Sequence, residues 1–256
     1  MGEVLMRTIY LRLPDGNPEL ETGAKIVRAH LDAKGHKIVR NKTKEYDVTL
    51  CWGCSMHDPL VKRVPALNGN VNQFNKLQAL GQFRKKHIMI PLTITLEHAT
   101  NLINLKAGPW FGRNISHAKG KDIKIFETGE EVQRLGDKDF YTLYVPHTEE
   151  LRVWVFQGKA FAIYQKHFKK PGLDNYKNLE CRSELREDLL HTRRLTEKAA
   201  EAVDALKMDF GAVDILHGED KGYYVLEVNS MPDISSMIRV SGIRLADLIS
   251  RWAEKQ

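Results

Sequence analysis

Between residues 7 and 13 the chain sets apolar Ile9, Leu11 and Leu13 against Thr8, Tyr10 and Arg12, a period of two that predicts a strand with one buried face. The period then changes. Ala24, Val27 and Leu31, with Ile26 and His30, recur at helical spacing, and Gly35 stands where such a helix would stop. Two more strands are expected over residues 37–39 and 46–52, so residues 1 to about 65 read as a small βαβ unit with a parallel sheet. Leu77, Leu80 and Phe83 predict a second helix, followed by a strand at 88–95.

From Ala107 onward the pattern becomes antiparallel. Strands are expected over 109–114, 123–127, 140–145 and 151–165, the last run folding back at Gln157-Gly158-Lys159. A helical stripe follows in Leu195, Ala199, Ala202, Val203 and Leu206. Strands over 209–216 and 223–228 flank the polar run His217-Gly-Glu-Asp-Lys-Gly222, a strong hairpin signal. Leu245, Leu248, Ile249 and Trp252 give an amphipathic closing helix. The fold class is thus α/β in the first unit and α+β after it, with domains expected at 1–66 and 67–256.

Composition adds limits rather than identity. In 256 residues, 42% hydrophobic and 28% charged content describe a globular chain and exclude disordered and collagenous classes. No apolar run reaches the ~20 residues of a membrane-spanning helix, and the start lacks the order of an export signal, so a cytoplasmic protein without a membrane partner is expected. Three cysteines cannot build a disulfide framework. Cys51-Trp-Gly-Cys54, near His57, has the gap of redox and zinc motifs but no second ligand pair, which favours two small residues at a strand end. The net charge of +6 favours anionic partners without specifying one, and Arg84-Lys85-Lys86-His87 reads as a solvated helix end. A Rossmann oxidoreductase is disfavoured because the first turn, Leu13-Pro-Asp-Gly16, lacks Gly-x-Gly-x-x-Gly.

The chemistry concentrates in the late hairpin. Glu227 and Asn229 lie two apart in a strand and share a face, and an antiparallel register about the turn can bring Asp214 beside them. Two carboxylates and an amide oxygen make an all-oxygen site suited to Mg²⁺, which completes its octahedron with water and phosphate.

Asp214-Ile-Leu, Glu227-Val-Asn229 and Pro232 resemble the C-terminal signature of ATP-grasp carboxylate–amine ligases, most closely the RimK-type family that adds glutamate to ribosomal protein. Val64-Pro-Ala-Leu-Asn68, Asn75-Lys76-Leu77 and Ile90-Pro91-Leu-Thr93 are similar to that family's entry into its ATP-binding half. The resemblance implies an ATP-grasp fold preceded by a small βαβ domain, with lobes at about 67–145 and 146–256. It makes Asp214, Glu227 and Asn229 ligands of Mg²⁺, for which Mn²⁺ is an alternative. Glu227 also falls among the ATP contacts it implies, with Arg113 in the place of a phosphate-binding lysine, Gly120 and Lys121 in the phosphate loop, and Leu143, Tyr144 and Val145 against adenine. Glu150 would meet ribose or ATP, Arg152 phosphate or substrate, and Arg182 would neutralise the transferring phosphate, these two arginines being the catalytic candidates. The activity implied is ATP-dependent amide formation through an acyl phosphate, using a small carboxylate and an amine. An amino acid is one expected substrate, and a peptide, protein or nucleobase the acceptor. Where the family has Asn-x-x-Pro-Gly this chain has Asn229-Ser-Met-Pro232-Asp233, so substrate identity is not inherited. Two rivals stand beside it: a kinase-like or carboxylating member of the fold, and a nucleotide, nucleic-acid or peptide binding module that has lost catalysis. The oligomeric state is left open.

Overall fold

A computed structural model describes residues 6–13, 20–40, 45–53, 64–69, 75–99, 107–115, 123–168, 181–230 and 239–256. The first sheet joins β1 (Thr8–Arg12), β2 (Lys37–Val39), β3 (Val48–Cys51) and β4 (Ala66–Leu67) in the order β2-β1-β3-β4, with every pairing parallel. Parallel neighbours need a crossover, and α1 (Leu20–Ala33) supplies it, ending where Gly35 takes a φ of +90°. Expected and observed elements agree here, except that β4 carries the sheet across the boundary expected at residue 66. Cys51 is buried, whereas Cys54 and His57 lie outside the described residues.

The second sheet, in the order β5-β8-β6-β7, is built from β5 (Thr93–Ile94), β6 (Trp110–Arg113), β7 (Lys124–Phe126) and β8 (Phe140–Leu143), all antiparallel. Before it runs α2 (Lys76–Lys85), opened by a capping box between Asn75 and Gln78. The strand expected over 88–95 shortens to Thr93–Ile94, because Pro91 has no N–H to give a ladder. The residues ahead of β5 instead accept single bonds, Val225 N–H donating to Met89 O and Leu143 N–H to Leu92 O. Beyond β5 the chain forms α3 (Leu96–Ala99) and, after β7, α4 (Gly129–Leu135).

The third sheet is the largest. Its strands β9 (His147–Phe156), β10 (Lys159–Phe168), β11 (Cys181–Leu185), β12 (Phe210–Gly218) and β13 (Tyr223–Asn229) take the antiparallel order β11-β10-β9-β12-β13. One face carries Leu151, Val153, Val155, Ile163, Val213 and Ile215, buried against α5 (Arg193–Ala205) and the Leu80–Phe83 side of α2. The opposite face carries Trp154, Phe156, Ala162, Tyr164, Phe210 and Ala212, which share a core with Ile9, Leu11, Val27, Leu31 and Trp52 of the first unit and with Leu245 and Ile249 of α6 (Arg239–Ala253).

Polar ties, too, fasten the first unit to the rest. The backbone N–H of Arg7 donates to Nδ1 of buried His36 (3.2 Å), which leaves Nε2 as the protonated nitrogen, 2.8 Å from Ser250 Oγ; Ser250 in turn donates to Glu254 Oε1 at 2.9 Å. Asn68, buried with a φ of +54°, accepts at Oδ1 from the N–H groups of Asp209 (2.7 Å) and Phe210 (3.1 Å) and donates from Nδ2 to Phe210 O (3.1 Å). That amide fastens the end of β4 to the start of β12.

Candidate active site

The site stands where the first-unit face of the largest sheet changes from apolar to charged. Strands alternate faces, and directly paired residues of antiparallel strands share one. Arg152 pairs with Asp214, and Asp214 with Glu227; Lys166 pairs with Glu150, two residues before Arg152. The sheet therefore projects Glu150, Arg152, Lys166, Asp214 and Glu227 from one side, continuing the face that Trp154, Tyr164 and Ala212 bury nearby. Asn229 pairs with Ala212 and lies on the same side. The hairpin expected from residues 209–228 thus has the register that the sequence suggested.

The side chains form a closed ionic row. Arg152 holds Asp214 with two parallel bonds, Nε to Oδ1 at 2.8 Å and Nη2 to Oδ2 at 2.9 Å. Lys166 Nζ donates to Asp214 Oδ2 at 2.8 Å and to Glu150 Oε1 at 2.6 Å. At the far strand Lys76, the first residue of α2, meets Glu227 Oε2 at 2.9 Å, and Asn229 Nδ2 donates to Glu227 Oε1 at 3.1 Å. Three carboxylates and three cations balance, which is how a sheet this apolar can hold charges largely out of water.

The protonation states follow. Burial pushes the Asp214 carboxyl upward, but Arg152 and Lys166 overcome it and hold it well below the usual carboxylate range. Burial likewise opposes the Lys166 ammonium, and the charges of Asp214 and Glu150 keep it protonated beyond its ordinary range. The Arg152 guanidinium is held charged chiefly by Asp214. Glu227, raised by burial, is brought below its ordinary value by Lys76.

Other expected residues fall elsewhere. Arg113 ends β6 in the second sheet, where Phe111 pairs with Thr142 and Arg113 with Phe140, so all four share a face; the guanidinium lies 5.7 Å from the Phe111 ring centre. Phe140 of that face is buried with Leu151 and Val153, on the side of the large sheet opposite Arg152 and Asp214. Leu143 closes β8, Tyr144 and Val145 connect it to β9, and this connection joins the two sheets. Tyr144 N–H is already given to Pro109 O (2.8 Å), so an adenine edge cannot also use it while that bond stands; Val145 O lies 2.7 Å from His147 Nδ1. The Tyr144 ring sits edge-on 6.0 Å from Phe111. Gly120 and Lys121, like Pro232 and Asp233, lie outside the described residues.

Arg182 parts from the group. It pairs with His167, whereas its neighbour Ser183 pairs with Lys166, so strand alternation sends the exposed Arg182 to the face opposite Arg152 and Asp214. Arg152 and Arg182 thus lie on opposite faces of the sheet. Lys166 occupies the position beside Asp214 instead. The 157–159 turn held the signal for it: folding β10 back on β9 places Lys166 opposite Glu150, a lysine on the inward face of an apolar strand. Lys76 had none, because its meeting with Glu227 depends on how α2 packs.

Residues 142–253, which contain this row apart from Lys76, match the RimK-like ATP-grasp domain family. Similarity to solved ATP-grasp structures extends over nearly the whole chain. The ligase PsnB held with a minimal precursor, Mg and ADP superposes with a TM-score of 0.68 at 12% identity, covering 99% of each chain. A D-alanine–D-alanine ligase from Bacillus anthracis gives 0.62 at 17%, covering 98% of this chain and 100% of that one. The macrocyclase MdnC from Microcystis aeruginosa MRC, bound with precursor peptide MdnA, gives 0.61 at 12%, covering 95% and 99%. At such identities the likeness is one of fold, and the fold is ATP-grasp. The sequence matches no curated protein. Among the described residues no helix is long and apolar enough to cross a membrane.

Proposed function

We propose that this chain is an ATP-dependent carboxylate–amine ligase, forming an amide bond through an acyl-phosphate intermediate with an amino acid as one substrate. The observation that carries the reading is the charge-balanced row of Glu150, Arg152, Lys166, Asp214 and Glu227, completed by Lys76, on one sheet face of an ATP-grasp fold. Phosphoryl transfer is governed by positioning and by neutralising oxygens, and a row of cations beside carboxylates provides both.

The donor set fits Mg²⁺, with Mn²⁺ as the natural substitute: two carboxylates directly paired across strands and an amide two residues on, all oxygen donors on one face. Asp214, Glu227 and Asn229 would hold the ion, which when bound adds positive charge against the phosphates. Arg152 and Lys166 reach toward the same oxygens and neutralise the transferring phosphoryl. Arg113, with Gly120 and Lys121, contacts the polyphosphate from the other lobe; Glu150 contacts the ribose side, and Leu143, Tyr144 and Val145 line the adenine. In the first step a substrate carboxylate oxygen attacks the γ-phosphorus and ADP leaves. In the second, the amine attacks the acyl carbon, phosphate leaves with the C–O electrons, and the amine proton passes to solvent. Arg152 and Lys166 face both phosphorylated species.

Solved neighbours held with precursor peptides and those named D-alanine–D-alanine ligases support a peptide or amino-acid acceptor over a nucleobase. The test is ADP release with ATP, Mg²⁺ and a panel of amino acids and peptides. Release that requires both acid and amine, and that disappears in Asp214→Ala and Glu227→Ala, is expected. Thermal stabilisation by ATP with no ADP released from any pair would instead make the chain a binding module.

A further inference from the structure

We infer that this site takes up its divalent cation only together with a polyphosphate, by an exchange of ionic partners in which Arg152, Lys166 and Lys76 pass from the carboxylates to the phosphate oxygens. The inference rests on the metal-ligand reading above and concerns how that site fills.

Three observations carry it. Both oxygens of Asp214 are occupied by cations, Oδ1 by Arg152 at 2.8 Å and Oδ2 by Arg152 at 2.9 Å and Lys166 at 2.8 Å, and both oxygens of Glu227 have donors, Lys76 at 2.9 Å and Asn229 at 3.1 Å. A cation approaching alone must displace these groups while they still stand beside it, adding two charges to a cluster that is already balanced. The second observation is the ligand count: among the described residues no group of three or more His, Cys, Asp or Glu side chains is arranged to hold a metal. Asp214 and Glu227 alone leave most of an octahedron to be filled from elsewhere. Third, the cations are tethered where a phosphate can collect them. Lys166 is nearly buried between Glu150 and Asp214, and Lys76 begins the helix that abuts β13. A nucleotide polyphosphate supplies the missing oxygens and, in the same movement, a replacement partner for every cation, so Asp214 and Glu227 are released toward the metal without either being left unpaired.

The exchange gives a sign that a plain phosphate contact does not. Removing Lys166 should strengthen binding of the metal by itself while weakening nucleotide binding. Mn²⁺ is the probe, followed with the full chain by the electron paramagnetic resonance of free Mn²⁺ and by water-proton relaxation, with and without a non-hydrolysable ATP analogue. Wild type is expected to bind Mn²⁺ alone weakly and to give an enhanced relaxation signal only when the analogue is present. Lys166→Met should bind Mn²⁺ alone about tenfold or more tightly than wild type, and Lys166→Arg, which keeps the charge, should behave as wild type. Lys76→Met, whose side chain is 39% exposed and less critical for folding, should move in the same direction through Glu227. Equal affinity for Mn²⁺ alone in wild type and both Met variants overturns the exchange. No enhanced signal in any arm, analogue included, overturns the ligand assignment itself and the exchange with it.

Discussion

Arg152 and Asp214 occupy directly opposed positions on neighbouring strands and are joined by two parallel bonds of 2.8 and 2.9 Å. The pair is nearly dry, with Asp214 only 6% exposed. Asp214→Ala should therefore cost about 3–5 kcal/mol, because it leaves Arg152 and Lys166 charged beside a cavity. Urea unfolding followed by tryptophan fluorescence measures it, and a cost below about 1 kcal/mol would mean that water already screens the pair. The depressed Asp214 carboxyl also fixes a direction in acid. Its contribution is complete above the ordinary carboxylate range near pH ~4 and is lost only as the pH falls further, through the lowered value.

Lys166 and Arg182 are separated by one strand face, and their variants should separate too. Lys166→Ala is expected to lower ADP release by about a hundredfold or more. Arg182→Ala should leave it within about twofold, as an exposed residue on the other side of the sheet. Initial rates at saturating ATP decide between them; a large loss in Arg182→Ala would restore that residue to the reaction.

His36 should make stability fall as the solution is acidified. Burial lowers its affinity for protons, partly offset by Glu254 and reinforced by Lys34. The folded state then binds fewer protons than the unfolded one between the lowered value and the ordinary ~6.5, so stability is complete above that range, declines across it as the pH falls, and loses nothing further from this group below it. Thermal melts from pH 7.5 down to pH 5 should show the decline, and His36→Gln, which cannot take the proton, should flatten it.

Asn68 combines a left-handed backbone with three side-chain hydrogen bonds to one strand end. Asn68→Ala abolishes those bonds and also strains φ, with an expected loss of about 2–4 kcal/mol. Asn68→Gly loses the same bonds without the backbone strain and should lose less. Chemical denaturation of the two variants separates the terms; equal losses would show that the backbone contributes nothing.

What could be read from the sequence was what repeats. Alternation located β1, β9, β10, β12 and β13, and the polar turn after His217 fixed the pairing that sets Asp214 against Glu227. What escaped was short or dependent on distant partners. The helix α4 is only seven residues long, so its periodicity is weak, although Thr128 and Glu131 carry its cap signal. The strand β11 alternates partly buried and exposed positions without the apolar run that would mark it, and reading Arg182 as a motif residue rather than a strand residue concealed which way it faces. Lys76 is brought to Glu227 by tertiary packing, to which local pattern is blind.

The helix α6 lies over the first unit, its Leu245, Ile249 and Ala253 buried with Leu11, Val27 and Leu31. Synthesis runs the other way round: the ribosome releases α1 long before the helix that covers it. Until α6 emerges, the apolar side of α1 that it covers stays open. A truncation that removes α6 would leave every proposed ligand in place and still deny α1 its cover.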